Sequence, residues 1–178
     1  VLNNATVTIT SAEVVTTTTD ALGAYKMGLV TAGDYTVTYS LPGYITKTFT
    51  INFSNGVEQM MDVALEPKAS TTISGGVTST ATNAGIPTAE VNLVGEDGTF
   101  TAITDGSGNI TISNIFTGDY VAFVGKWGFE NSAVDVTVTE SGTINLQMTP
   151  GYLDGFAIDQ GWTVTSNAGS GDWVREVP

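Results

Sequence analysis

One stretch of the chain is written twice at a fixed spacing. Asp20-Ala-Leu-Gly23-Ala-Tyr25 is followed by Gly33-Asp34-Tyr35 and Gly43-Tyr44, and Asp105-Gly-Ser-Gly108-Asn-Ile110 by Gly118-Asp119-Tyr120 and Gly128-Phe129. Each pair lies 85 residues apart, while Pro67 and Pro150, which close the two copies, lie 83 apart. A constant offset with so small a slip is the signature of tandem copies of one small domain. In 178 residues it selects at least two domains of about 75–85 residues, a size at which each core is limited and each domain only moderately stable.

The copies read as all-β. Hydrophobic residues make up 41% of the chain and charged residues 13%, with Thr and Gly abundant. β-Branched residues favour the pleated, half-buried surface of a sheet, and Gly favours the turns between strands. Alternation with period 2 recurs. Val7 and Ile9 alternate with threonines, as do Tyr35, Val37 and Tyr39. Ile45, Phe49, Ile51 and Phe53 share one face, which Lys47 interrupts, and Val134, Val136 and Val138 repeat the pattern in the second copy. Met61, Val63 and Leu65 match Ile144, Leu146 and Met148 as expected closing strands. One apolar face per strand calls for a covering sheet, so each copy is expected to be a two-sheet antiparallel sandwich. Asp20 to Gly23 and Asp105 to Gly108 begin with Asp and end with Gly, a pattern favoured by a type I turn.

The starts of the copies differ. The second opens with an expected strand at Ile73 to Thr78 before reaching Ile86, whereas Val1-Leu2-Asn3 aligns with the Ile86 region. The expected organisation is therefore a first copy at 1–67 lacking its opening strand, a linker at 68–72, a second copy at 73–150, and the start of a third domain at 151–178. Val7 and Ile9 then need cover from an upstream strand or from a strand donated by a neighbouring molecule, because unpaired backbone and bare apolar residues are unfavourable. Val1 reads as an internal position of a longer protein.

The net charge of −13, with only five Lys and Arg, argues against nucleic acid, whose phosphates need a basic footprint. It also disfavours docking on anionic lipid. No apolar run reaches the length of a membrane span. Without His or Cys, the usual zinc and nucleophile–base constellations cannot be assembled, so no catalytic residue is assigned and no hydrolase activity is expected. Asp105, Ser107 and Asn109 place oxygens at alternate positions and form a candidate calcium site, set against their role as a plain turn. No other cofactor is expected. Trp127, in a turn at the position occupied by Pro42 in the first copy, is the candidate for stacking on carbohydrate. Tyr25, Tyr35, Tyr39 and Tyr44 are read mainly as core.

The run Thr19-Asp20-x-x-Gly23-x-Tyr25, then Gly33-Asp34-Tyr35-Thr36-Val37, then Gly43-Tyr44, resembles the carboxypeptidase regulatory-like domain. The resemblance covers 1–150 and implies a seven-stranded prealbumin-like (transthyretin-like) sandwich. The second copy departs from the motif, with Ile110 in place of the aromatic and Thr117-Gly118 ahead of Asp119. Gly161-Trp162-Thr163-Val164 and Gly171-Asp172-Trp173-Val174-Arg175 look like the opening of jelly-roll modules in large secreted bacterial proteins. Such modules follow these repeats in surface proteins and exported peptidases, notably of Bacteroidetes. The resemblance implies a non-catalytic spacer, adhesion or assembly segment, outside the cell or on its surface. The implied partners are other domains of the same chain, another protein through strand addition, or a cell-surface glycan. The alternatives are an accessory region of a secreted peptidase, whose catalytic domain lies elsewhere, and a carbohydrate-binding module.

Overall fold

The computed structural model describes residues 1–152 and Ile158. The expected jelly-roll opening, at 153–157 and 159–178, lies outside the described residues. The chain divides into two units, Val1–Ala69 and Ser70–Pro178.

Every regular element among the described residues is a strand. The first unit holds β1 (Thr6–Thr10), β2 (Val14–Thr18), β3 (Gly33–Ser40) and β4 (Lys47–Phe53). The second holds β5 (Ser70–Ser79), β6 (Glu90–Gly95), β7 (Gly98–Ile103), β8 (Asn109–Phe116), β9 (Gly118–Gly125), β10 (Ser132–Val138) and β11 (Thr143–Met148).

Each unit contains the same four-stranded antiparallel sheet. Its order is β2-β1-β3-β4 in the first unit and β10-β9-β6-β7 in the second, which is the same succession read from the other edge. The alternation that built the expectation explains the faces. Val7, Ile9, Val37 and Tyr39 are buried in one unit, and Val91, Leu93, Ala122 and Val124 in the other. On the solvent face of the first sheet Thr8 meets Thr16 and Thr38 meets Thr48 through their hydroxyls, at 3.3 and 3.2 Å. Such cross-strand Thr pairs stabilise a sheet modestly and also fix register.

Matched polar residues hold the turns. Asp20 Oδ1 accepts the N–H groups of Leu22 and Ala24 at 2.8 and 2.9 Å, and Asp105 Oδ1 those of Ser107 and Asn109, both at 2.8 Å. Gly23 and Gly108 close these turns at φ of 73° and 82°, a region that L side chains enter only with strain. Thr19 and Thr104 precede the aspartates and lock the start of each unit. The Thr19 hydroxyl accepts from Ala5 N–H at 2.9 Å and donates to the Leu2 carbonyl at 2.8 Å. The Thr104 hydroxyl accepts from Ala89 N–H at 2.7 Å and donates to the Ile86 carbonyl at 2.6 Å.

The second unit has a further sheet, ordered β11-β5-β8. The expected opening strand is its central member. It pairs antiparallel with β8 and parallel with β11, so one pair in an otherwise antiparallel fold runs parallel. The approach of β11 is close: a Cβ built on Gly75 would lie 1.8 Å from the Ile144 carbonyl oxygen. With both sheets present, the core closes around Ile73, Val77, Leu93, Ile112, Ile115, Leu146 and Met148, all buried.

The first unit departs from the expected sandwich. Its described strands form a single sheet, and Met61, Val63 and Leu65 lie in no ladder. The physical reason is the absence of a counterpart to β5 among residues 1–69. In the second unit that strand supplies the hydrogen-bond partners of both its neighbours, so without it neither segment has a ladder to join.

Candidate functional site

The uncovered face of the first unit forms a groove of about 650 Å³. Its floor is the sheet, through Ile9, Val37 and Tyr39, and the rest of its lining comes from 23–32 and 53–62, including Tyr25, Met27 and Met61. Both flanking segments keep the alternation of strands. Tyr25, Met27 and Leu29 are half-buried with Ala24, Lys26 and Gly28 exposed, and Met61, Val63 and Leu65 are half-buried with Asp62 and Ala64 exposed. They pack against the Val7–Ile9–Val37 core yet pair with no strand. Their counterparts in the second unit, at 110–115 and 144–148, are β8 and β11 on either side of β5.

The groove is apolar with a phenolic centre. Tyr25 and Tyr39 share a hydrogen bond of 2.7 Å between their hydroxyls and meet edge-to-face at 5.9 Å. The Tyr39 hydroxyl also reaches Met61 Sδ at 3.7 Å. Burial first, and the Tyr25 hydroxyl second, push Tyr39 well above the ordinary phenol range, so it stays neutral and serves as a hydrogen-bonding core residue. Tyr35 is buried too, its hydroxyl donating to the Thr31 carbonyl at 2.8 Å, as Tyr120 does to Phe116 at 2.9 Å.

The calcium candidates lie on the Asp105 turn. Besides the two N–H groups on Oδ1, Asn109 Nδ2 donates to Asp105 Oδ2 at 3.3 Å. These bonds, the backbone ones of Asn109 and Ser107 foremost, hold the Asp105 carboxyl below its ordinary range. The same backbone pattern at Asp20 accounts for both aspartates as turn caps. No group of three or more His, Cys, Asp or Glu side chains suited to a metal ion occurs among the described residues. Asp34 and Asp119 also match: they accept across the strand from Asn52 Nδ2 at 2.7 Å and the Thr137 hydroxyl at 2.6 Å.

Trp127, the carbohydrate candidate, is 57% exposed and meets Tyr152, 82% exposed, edge-to-face at 5.8 Å. Tyr152 was not singled out in the sequence, because it follows the repeat and has no partner in the first copy. The Thr19 and Thr104 locks were missed as well. Their 85-residue spacing, immediately before the paired aspartates, was the available signal.

Among curated proteins no relative matches the chain. Among solved structures, the minor pilin of Streptococcus agalactiae is similar with a TM-score of 0.54 at 14% identity, over 93% of this chain and 87% of that one. A streptococcal ancillary pilin gives 0.54 at 12% identity, over 85% and 58%. At these identities the likeness is one of fold. A chain of a type II cohesin–X-dockerin complex from Acetivibrio cellulolyticus is 25% identical, with a TM-score of 0.39 over 52% of this chain. The chain spans 64% of the length of that structure and 31% of the Bacillus anthracis TIE protein, another match. The duplicated Asp turn, the Gly-Asp-Tyr strand start and the shared four-stranded sheet agree with a direct family match over residues 1–66 and 72–150: this chain belongs to the carboxypeptidase regulatory-like domain family.

Proposed function

We propose that the chain is a non-catalytic structural and interaction segment of an exported bacterial surface protein. The observation that carries this reading is the use made of the polar residues common to both units. Asp20 and Asp105, Thr19 and Thr104, Asp34 and Asp119, and Tyr35 and Tyr120 all bond to backbone or to a neighbouring strand of their own unit. What the duplication preserves is architecture, not a reactive constellation. The pilin-like fold supports a surface setting for such a module. No helix among the described residues is long and apolar enough to cross a membrane.

Two measurements test the reading. Antibody raised against residues 1–150 is expected to label intact cells of the source organism. The purified chain is expected to leave peptide, ester and glycoside substrates unchanged. Labelling only after lysis would overturn the surface assignment. Turnover abolished by replacing one carboxylate would overturn the non-catalytic one.

A second reading rests on the exposed Trp127–Tyr152 pair, whose ring faces suit stacking on a sugar. Glycan-array binding lost in Trp127→Ala would establish it, and an array without signal would remove it.

A further inference from the structure

We infer that the groove of the first unit is an acceptor slot for one extended polypeptide strand supplied by a partner segment of β5-like sequence. The strand would run antiparallel to 24–29 and parallel to 60–65. This deepens the interaction reading above and rests on it.

The second unit shows the slot filled. There β5 lies between β8 and β11, bonded to both, with Ile73 and Val77 buried against the four-stranded sheet. In the first unit the same sheet, with the same strand succession, presents its apolar face to a groove of about 650 Å³. The flanking segments keep alternating burial but have no ladder. A strand added there gains main-chain hydrogen bonds on both edges, and its alternate side chains enter the apolar floor, the logic of β-augmentation.

The filled slot also specifies the occupant. Apolar side chains are needed at the positions of Ile73 and Val77. Between them the residue facing the parallel neighbour must be glycine, because a Cβ at Gly75 would meet the Ile144 carbonyl at 1.8 Å. In the first unit Met61 occupies the position of Ile144. The chemistry is therefore that of an apolar-x-Gly-Gly-apolar strand. A small apolar ligand would satisfy the floor but leave the backbone edges unpaired.

The probe is a synthetic peptide with the sequence of residues 70–79, titrated into the whole chain. Binding is read by calorimetry and by residue-resolved hydrogen exchange. Expected are one site per chain and new amide protection in 24–29 and 60–65, with exchange in β6 and β9 unchanged. A peptide carrying valine in place of the glycine at position 75 should bind at least ten times more weakly. In the chain, Met27→Asp should abolish binding, with exchange in the second unit as the control for folding.

No binding would overturn the slot, as would protection confined to the second unit, which would indicate exchange with its own β5. Equal affinity of both peptides would reduce the groove to a non-specific apolar surface. Self-association of the chain that protects 24–29 and is insensitive to peptide would assign the face to a second copy instead. None of these results bears on cell-surface labelling or on turnover, so the broader reading fails or survives independently.

Discussion

The two units carry the same four-stranded sheet, the same aspartate turns and the same threonine locks, yet one closes a two-sheet core and the other does not. The difference is a single strand. With β5 in place, residues 110–115 and 144–148 become β8 and β11, and Ile112, Ile115, Leu146 and Met148 are buried. Without a counterpart, Met27, Leu29, Val63 and Leu65 keep the alternation but stay half-buried and outside any ladder. Alternating sequence is thus insufficient to make a strand. A central strand satisfies two neighbours at once, so its loss removes the ladder from both.

The largest effect that would break this comparison is expected at Gly75. Valine there forces β11 away from β5 and should destabilise the second unit by about 3 kcal/mol. Hydrogen exchange in 143–148 should rise towards that of 60–65, while the first unit stays unchanged. Retention of full protection in β11 would show that the close approach is not what seats it.

Next come matched core truncations. Met148→Ala removes a buried side chain and should cost about 3 kcal/mol. Leu65→Ala, at the corresponding place in the first unit, should cost about 1 kcal/mol, since its side chain is only half-buried. Denaturant melts followed by exchange within each unit separate the two. Equal costs would mean that the first unit has a closed core.

The locks should behave alike. Thr104→Val and Thr19→Val each delete a hydroxyl that bridges an N–H and a carbonyl, and each should cost about 1–2 kcal/mol. A marked difference between them would show that the four-stranded sheets are less equivalent than their geometry.

The smallest effects are electrostatic. Asp105 has its carboxyl pKa lowered in the folded state by backbone donors. Its contribution is therefore complete above the ordinary carboxylate range and is lost as pH falls through the depressed folded value. Glu66 follows the same sign, lowered by the hydrogen bond and charge of Lys47 at 2.8 Å. Asp105→Asn should flatten the acid limb of the second unit's melting profile, and Glu66→Gln that of the first. Added salt should weaken the exposed Lys47–Glu66 pair more than the Asp105 turn. An acid limb unaffected by either substitution would assign it to other carboxylates.

Much of this was legible in the residues. The repeat, the all-β class, the inward faces of Val7, Ile9, Val37 and Tyr39, and the paired turns follow from spacing, period and turn chemistry, which are local. Tyr152 was not legible, because its contact with Trp127 joins residues that no periodicity links. The parallel pairing of β11 was not legible either, since a strand's alternation is the same whichever way its neighbour runs.

By itself, the sequence determined that there are two copies, that each is built from strands, and which side chains turn inward. These are properties of consecutive residues, governed by steric preference and by alternation of apolar and polar groups. Only the tertiary structure decided whether inward-facing segments become strands, because a ladder needs a partner backbone from a distant part of the chain. That is why 144–148 is a strand and 61–65, with the same alternation, is the edge of an open groove.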